Sequence, residues 1–234
     1  MLTVLAGDLL ADRIGEGRVL ALHGWGRSAG DFAFLESVLA VHLPGFGTTP
    51  APPTAWGSSE YAEHLAAALA GRGPQVVVGH SFGGRVAVRL AADHPELVSA
   101  LVLTGVPLVR ATPPPRPALL LRLAKRLRAA HLLPGGVVDR LRKRGGSADY
   151  RAAAGVMRDV LVRVVNEDYR DSLERLRMPV HLVWGADDDA APVAGARLAA
   201  DLVPGAQLQV VPGAGHLLEG ALAQAVRAKV LELS

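Results

Sequence analysis

The sequence predicts an α/β fold: a mostly parallel β-sheet with helices on both faces and an inserted helical cap. Three observations predict it. Short runs rich in Val and Leu recur without period-two alternation, as strands buried on both faces do. Longer amphipathic stretches separate these runs, and strand–helix–strand alternation implies parallel pairing. The alternation fails once, over residues 110–177, where no strand-like run occurs.

In chain order, Leu2–Ala6 and Leu9–Ile14 are the weakest strand candidates and are expected to form an antiparallel edge hairpin. The stronger runs are Val19–His23, Val38–Leu43, Gln75–Gly79, Ala100–Thr104, Val180–Trp184 and Gln207–Val211. Helices are expected over Ser59–Ala70, Gly83–Asp93, Val193–Leu202 and Leu217–Leu233. After Thr104 the chain enters Ala111–Pro117, whose prolines can continue neither a helix nor a central strand. Helical patterns follow at Ala118–Leu133, Val137–Lys143 and Ala148–Val165. The expected division is a sheet core of residues 1–109 and 178–234, with residues 110–177 as a helical cap. No internal repeat is present.

Composition narrows the function classes. At 234 residues, half of them apolar, the chain suits one domain carrying an insertion. The absence of cysteine excludes disulfides, thiolate metal sites and a cysteine nucleophile. The N-terminus has no basic region, and Asp8 and Asp12 interrupt it before a signal-peptide core can form. No apolar stretch is long enough to span a bilayer, so a cytoplasmic location without stable membrane insertion is expected. Residues 110–146 carry ten Lys or Arg against the single acid Asp139, a charge of +9; the remainder is −6.

The strongest chemical signal is Gly79-His80-Ser81-Phe82-Gly83, followed by Gly84, lying between a strand and a helix. A nucleophile elbow needs that setting: the turn is so tight that residues two before and two after the serine must be small. Ser81 then stands at a helix N-terminus, where free N–H groups favour developing negative charge. A serine hydroxyl also needs a base, and the base needs an orienting acid. The strand Val180–Trp184 runs into Gly185-Ala186-Asp187-Asp188-Asp189, and Gln207–Val211 runs into Pro212-Gly213-Ala214-Gly215-His216. Serine, acid, histidine is the chain order expected for a fold of this kind. Residue type alone leaves the acid open among Asp187, Asp188 and Asp189. His42, His64, His94, His131 and His181 lack a comparable setting and are expected to be structural or solvent-facing. Oxyanion donors are expected from the backbone N–H groups of Phe82 and of Trp25, within His23-Gly24-Trp25-Gly26.

On these residues, together with Leu43-Pro44-Gly45-Phe46-Gly47, the chain resembles the α/β-hydrolase superfamily. More narrowly it is similar to carboxylesterase-like serine hydrolases with a short helical cap, the layout of the pimeloyl-carrier-protein methyl esterases. The resemblance implies a metal-free, cofactor-free esterase acting through an acyl-enzyme. Its spacing, with the acid three residues after the strand-end Gly185 and four before Pro192, selects Asp188, with Asp187 as fallback. Trp25, Phe82 and Leu217 are the expected substrate-lining residues. The family usually has an acid before the Leu-Pro-Gly-Phe-Gly turn, where this chain has His42. Ser81 sets aside the relatives with an elbow aspartate, and His80 and Leu217 disfavour carbon–carbon bond hydrolases.

The basic segment would overhang the mouth of such a site. Solvated helix faces would account for it. So would attraction of anionic substrates, or of an acidic carrier protein bearing the acyl group. Leu119–Leu133 pairs leucines with basic residues and could touch a membrane surface. Nucleic acid is not expected, since no aromatics interleave the basic residues. A small-molecule ester is the expected substrate; a non-catalytic receptor of the same fold is the alternative from another class.

Overall fold

The computed structural model describes residues 1–109 and 148–234. Its strands are β1 (Leu2–Ala6), β2 (Leu9–Ile14), β3 (Val19–Leu22), β4 (Val38–His42), β5 (Gln75–His80), β6 (Val98–Thr104), β7 (Val180–Gly185) and β8 (Gln207–Val211). Its helices are α1 (Ser58–Leu69), α2 (Phe82–Asp93), α3 (Ala148–Ala152), α4 (Gly155–Val164), α5 (Arg170–Arg175), α6 (Val193–Leu202) and α7 (Gly220–Leu233). The strands form one sheet in the order β1-β2-β4-β3-β5-β6-β7-β8. β2 runs antiparallel to β1 and β4, and every other adjacent pair is parallel.

The apolar runs become central strands because both of their faces are covered. Leu20, Leu22, Leu39, Val41, Val77, Leu101, Leu103, Leu182 and Trp184 point into one core. Their neighbours Val19, Ala21, Val38, Ala40, Val76, Val78, Ala100, Val102 and Val183 point into the other. Side chains alternate across a strand, so each face demands its own apolar set. Residues of α1, α2, α4, α5 and α6 close the first core, and α7 with the short 3₁₀ turn Ala29–Phe32 closes the second.

The strand order places a crevice. From β3 the chain steps outward to β4, then returns past β3 to β5 and proceeds the other way. Loops leaving the carboxyl ends of β3 and β5 therefore diverge, and ligands bind at such switch points.

The expected edge hairpin is present, and the strand boundaries shift by at most two residues. One expectation is corrected. The helix expected over Ala148–Val165 is two helices, because Ala154 is extended and Gly155 adopts φ 52, outside the right-handed helical region. Helix α5 was not anticipated; it has six residues, too few for a periodic signal, and buries only Ser172 and Leu173. The helices expected at Ala118–Leu133 and Val137–Lys143, and the whole basic segment, lie outside the described residues.

Candidate active site

Ser81 links β5 directly to α2 and is the sole non-glycine with positive φ among the described residues, at φ 50 and ψ −113. Such a conformation is costly and persists only where its surroundings hold it. Here the Ser81 N–H donates to the Thr104 carbonyl (3.0 Å), and the Gly83 N–H to the His23 carbonyl (3.0 Å). The flanking glycines are required by space. A Cβ on Gly79 would stand 2.5 Å from the Gly84 Cα, and one on Gly83 would stand 2.1 Å from the Leu22 carbonyl oxygen. The same Gly83 bond draws the loop after β3 against the start of α2, bringing the Trp25 and Phe82 rings to 5.3 Å. Phe82 opens the helix, so its N–H has no partner within it.

Three consecutive aspartates follow β7, and burial separates them. Asp188 is 4% exposed, while Asp187 and Asp189 face solvent. One Asp188 oxygen accepts the Ala191 N–H (2.7 Å) and the other lies 2.9 Å from His216 Nδ1. The Trp184 indole N–H, donating to the Ala191 carbonyl (2.6 Å), fixes the same turn. His216 follows β8 and its side chain is 23% exposed. Ser81 and His216 line one cavity of about 360 Å³, together with Trp25, Phe82, Leu217 and His80. Residues from α3 and α4 line it as well: Asp149, Leu161 and Val164.

Two residues gain a role that their sequence setting does not announce. Gly105, at φ 60 after β6, leaves room for the acid–histidine pair: a Cβ there would lie 3.0 Å from His216 Nδ1 and 3.3 Å from Asp188 Oδ2. His80 Nε2 donates to the His216 carbonyl (2.9 Å), so the elbow braces the loop that carries His216. Burial drives the His80 pKa down to about 4 and that of His23 likewise to about 4, so both rings are neutral near pH 7. His23 Nε2 accepts the Leu43 N–H (3.3 Å), tying the loop after β3 to the end of β4. His42 accepts the Thr48 N–H (3.4 Å) and stands 3.3 Å from Asp12, a structural post away from the cavity.

Among the described residues no group of three or more His, Asp or Glu is placed to hold a metal, and no helix is long and apolar enough to cross a membrane.

Residues 19–228 match the alpha/beta hydrolase family, and the chain belongs to it. Pimeloyl-[acyl-carrier protein] methyl ester esterase of Chromobacterium violaceum is 30% identical over 238 residues, covering 89% of this chain and 91% of that protein. Lipase LipV of Mycobacterium tuberculosis is 44% identical over 99 residues, 38% of this chain and 37% of that one. Among solved structures, an esterase from Exiguobacterium antarcticum superposes with a TM-score of 0.72 at 19% identity, covering 96% of this chain and 94% of its own. The N-acyl homoserine lactone degrading enzyme Est816 gives a TM-score of 0.71 at 21% identity, covering 97% and 96%. At those identities the structural likeness speaks for the fold alone.

Proposed function

We propose that the protein is a carboxylesterase whose nucleophile is Ser81. The observation that carries this is the buried Asp188 held 2.9 Å from His216, on the cavity that the strained Ser81 turn also lines. In the first half-reaction His216 Nε2 takes the Ser81 proton as Oγ bonds to the acyl carbon. The resulting oxyanion is met by the N–H groups of Trp25 and Phe82. Collapse breaks the carbon–oxygen bond to the alcohol, and His216 returns the proton to it. Water then attacks the acyl-enzyme by the same route and frees the acid. Asp188 fixes the His216 tautomer, leaving Nε2 free, and stabilises the imidazolium. No cofactor enters these steps.

Trp25, Phe82 and Leu217 would form the acyl wall, and residues 110–177 a cap over it; Leu161 and Val164 on the cavity support the latter. A panel of p-nitrophenyl esters of increasing acyl length tests the assignment. Turnover that disappears in Ser81→Ala is expected; turnover that persists there, or none at any length, refutes it.

One finer reading has support of its own: that the acyl group arrives on an acidic carrier protein. The similarity to pimeloyl-[acyl-carrier protein] methyl ester esterases runs over 89% of the chain, and residues 110–146 carry +9. It would place the protein in the cytoplasm. Reversing Arg126, Arg128, Arg142 and Arg144 to Glu should then impair hydrolysis of carrier-linked esters more than of free ones. Equal impairment refutes it.

A further inference from the structure

Arg85 is an unusual occupant of an ester-binding cavity. It lies on the first turn of α2, faces the same cavity as Ser81 and His216, and is only 8% exposed. One of its N–H groups donates to the Val164 carbonyl, and its guanidinium carbon sits 5.5 Å from the centre of the Tyr169 ring. Guanidinium groups carry five N–H donors, and no second hydrogen bond from this one falls on a described residue. Nor does a described carboxylate lie within 4.0 Å of it. A buried charge with no counter-ion is costly, and the cost is relieved when a partner brings the opposite charge.

The neighbouring groups do not discharge that role. Glu167 lines the adjoining cavity of about 150 Å³, which also includes Arg85. Its oxygens are already committed to the Ser58 N–H (3.1 Å), the Ser58 hydroxyl (2.5 Å) and the Tyr169 hydroxyl (2.6 Å). A second guanidinium, Arg89, stands 4.9 Å from the same Tyr169 ring and bonds only to neutral groups, the Ser172 and Ser58 hydroxyls and the Asp168 carbonyl. The other cavity charges are Arg27, held by both oxygens of Asp31, and the exposed Asp149.

We propose that Arg85 anchors an anionic group on the substrate, a carboxylate or a phosphate on the part remote from the scissile ester. The proposal rests on the esterase assignment above and names its substrate class. The planar fork of Arg matches either oxyanion with two parallel hydrogen bonds. Binding there would hold the far end of the substrate while Ser81 meets the ester carbon.

Three sets of methyl esters decide it: monomethyl esters of straight-chain dicarboxylic acids, the dimethyl esters of the same acids, and methyl esters of ω-phosphono acids of matched length. The readout is the ratio of kcat/KM for anionic to neutral ester, in wild type, Arg85→Gln and Arg85→Lys. Wild type is expected to favour an anionic set, and Arg85→Gln to lower that ratio at least about tenfold, the worth of a charged hydrogen bond. Arg85→Lys, a point charge without the fork, is expected to fall between. Whichever anionic set carries the preference identifies the group. A wild-type ratio near one, or a ratio unaltered in Arg85→Gln, overturns the proposal. Should Arg85→Gln not fold, the wild-type ratio and its fall in Arg85→Lys decide alone. Absence of Ser81-dependent turnover of every ester overturns instead the esterase assignment, and the anchor with it.

Discussion

At the scale of the residue, Asp188 gains its value from what surrounds it. A carboxylate with one oxygen held by the Ala191 amide and the other by His216 has no rotational freedom left. It can therefore hold the imidazole in one tautomer through the whole cycle. Replacing it with Asn keeps the shape and presents the wrong group to Nδ1. Asp188→Asn is expected to lower kcat by about two to four orders of magnitude, measured on the best p-nitrophenyl ester. Asp187→Asn, on an exposed side chain, is expected to stay within about threefold. The motif and its spacing pointed to Ser81 and His216, but residue type left three aspartates open, because burial is invisible in a run of like residues. Gly105 was not legible at all. A lone glycine after a strand carries no pattern, and its reason appears only where His216 and Asp188 come against it.

Among the elements, the strands were the most legible. Two buried faces impose a nearly unbroken apolar run, and each such run became a strand. The described part of the insertion was less so: α4 begins only at Gly155, and α5 is too short to show a period. Polar ties fasten this stretch alongside the buried Val160, Val164 and Leu173. Glu167 receives two donors from Ser58, at the start of α1, and one from Tyr169. Arg163 reaches back to Glu60 and to the Ala55 carbonyl. Glu167→Ala would leave the N–H and hydroxyl of the fully buried Ser58 without their acceptor, while the Tyr169 hydroxyl keeps the Ser58 oxygen at 3.2 Å. Urea unfolding should show it less stable by about 1–3 kcal/mol, the cost of buried donors left unmatched. An unchanged midpoint would show that this tie contributes nothing.

For the molecule as a whole, loops from five parallel strands, β3, β5, β6, β7 and β8, are gathered into one cavity around the switch in strand order. The same gathering buries histidines. His23 and His80 have folded-state pKa values of about 4, below the 6.5 of an unhindered imidazole, chiefly through desolvation. Below pH 6.5 the unfolded chain takes up protons that the folded chain refuses until pH 4. The stability these two residues secure is therefore complete above pH 6.5 and lost as pH falls toward 4, by about 3 kcal/mol for each. Thermal unfolding from pH 8 to pH 4 is expected to show a level Tm above neutrality and a steep fall below pH 6.5. A Tm that is flat throughout contradicts the burial of these rings. At this scale the uneven charge was also legible, since counting Lys and Arg needs no structure.

Covalent trapping of Ser81 tests the central claim most directly. The protein is treated with a fluorophosphonate, its intact mass is measured, and the labelled peptide is sequenced. One adduct per chain is predicted, on the hydroxyl of Ser81, formed much more slowly in Asp188→Asn and absent in Ser81→Ala. Labelling of a different residue, or an unlabelled wild-type protein that still hydrolyses esters, would contradict the account.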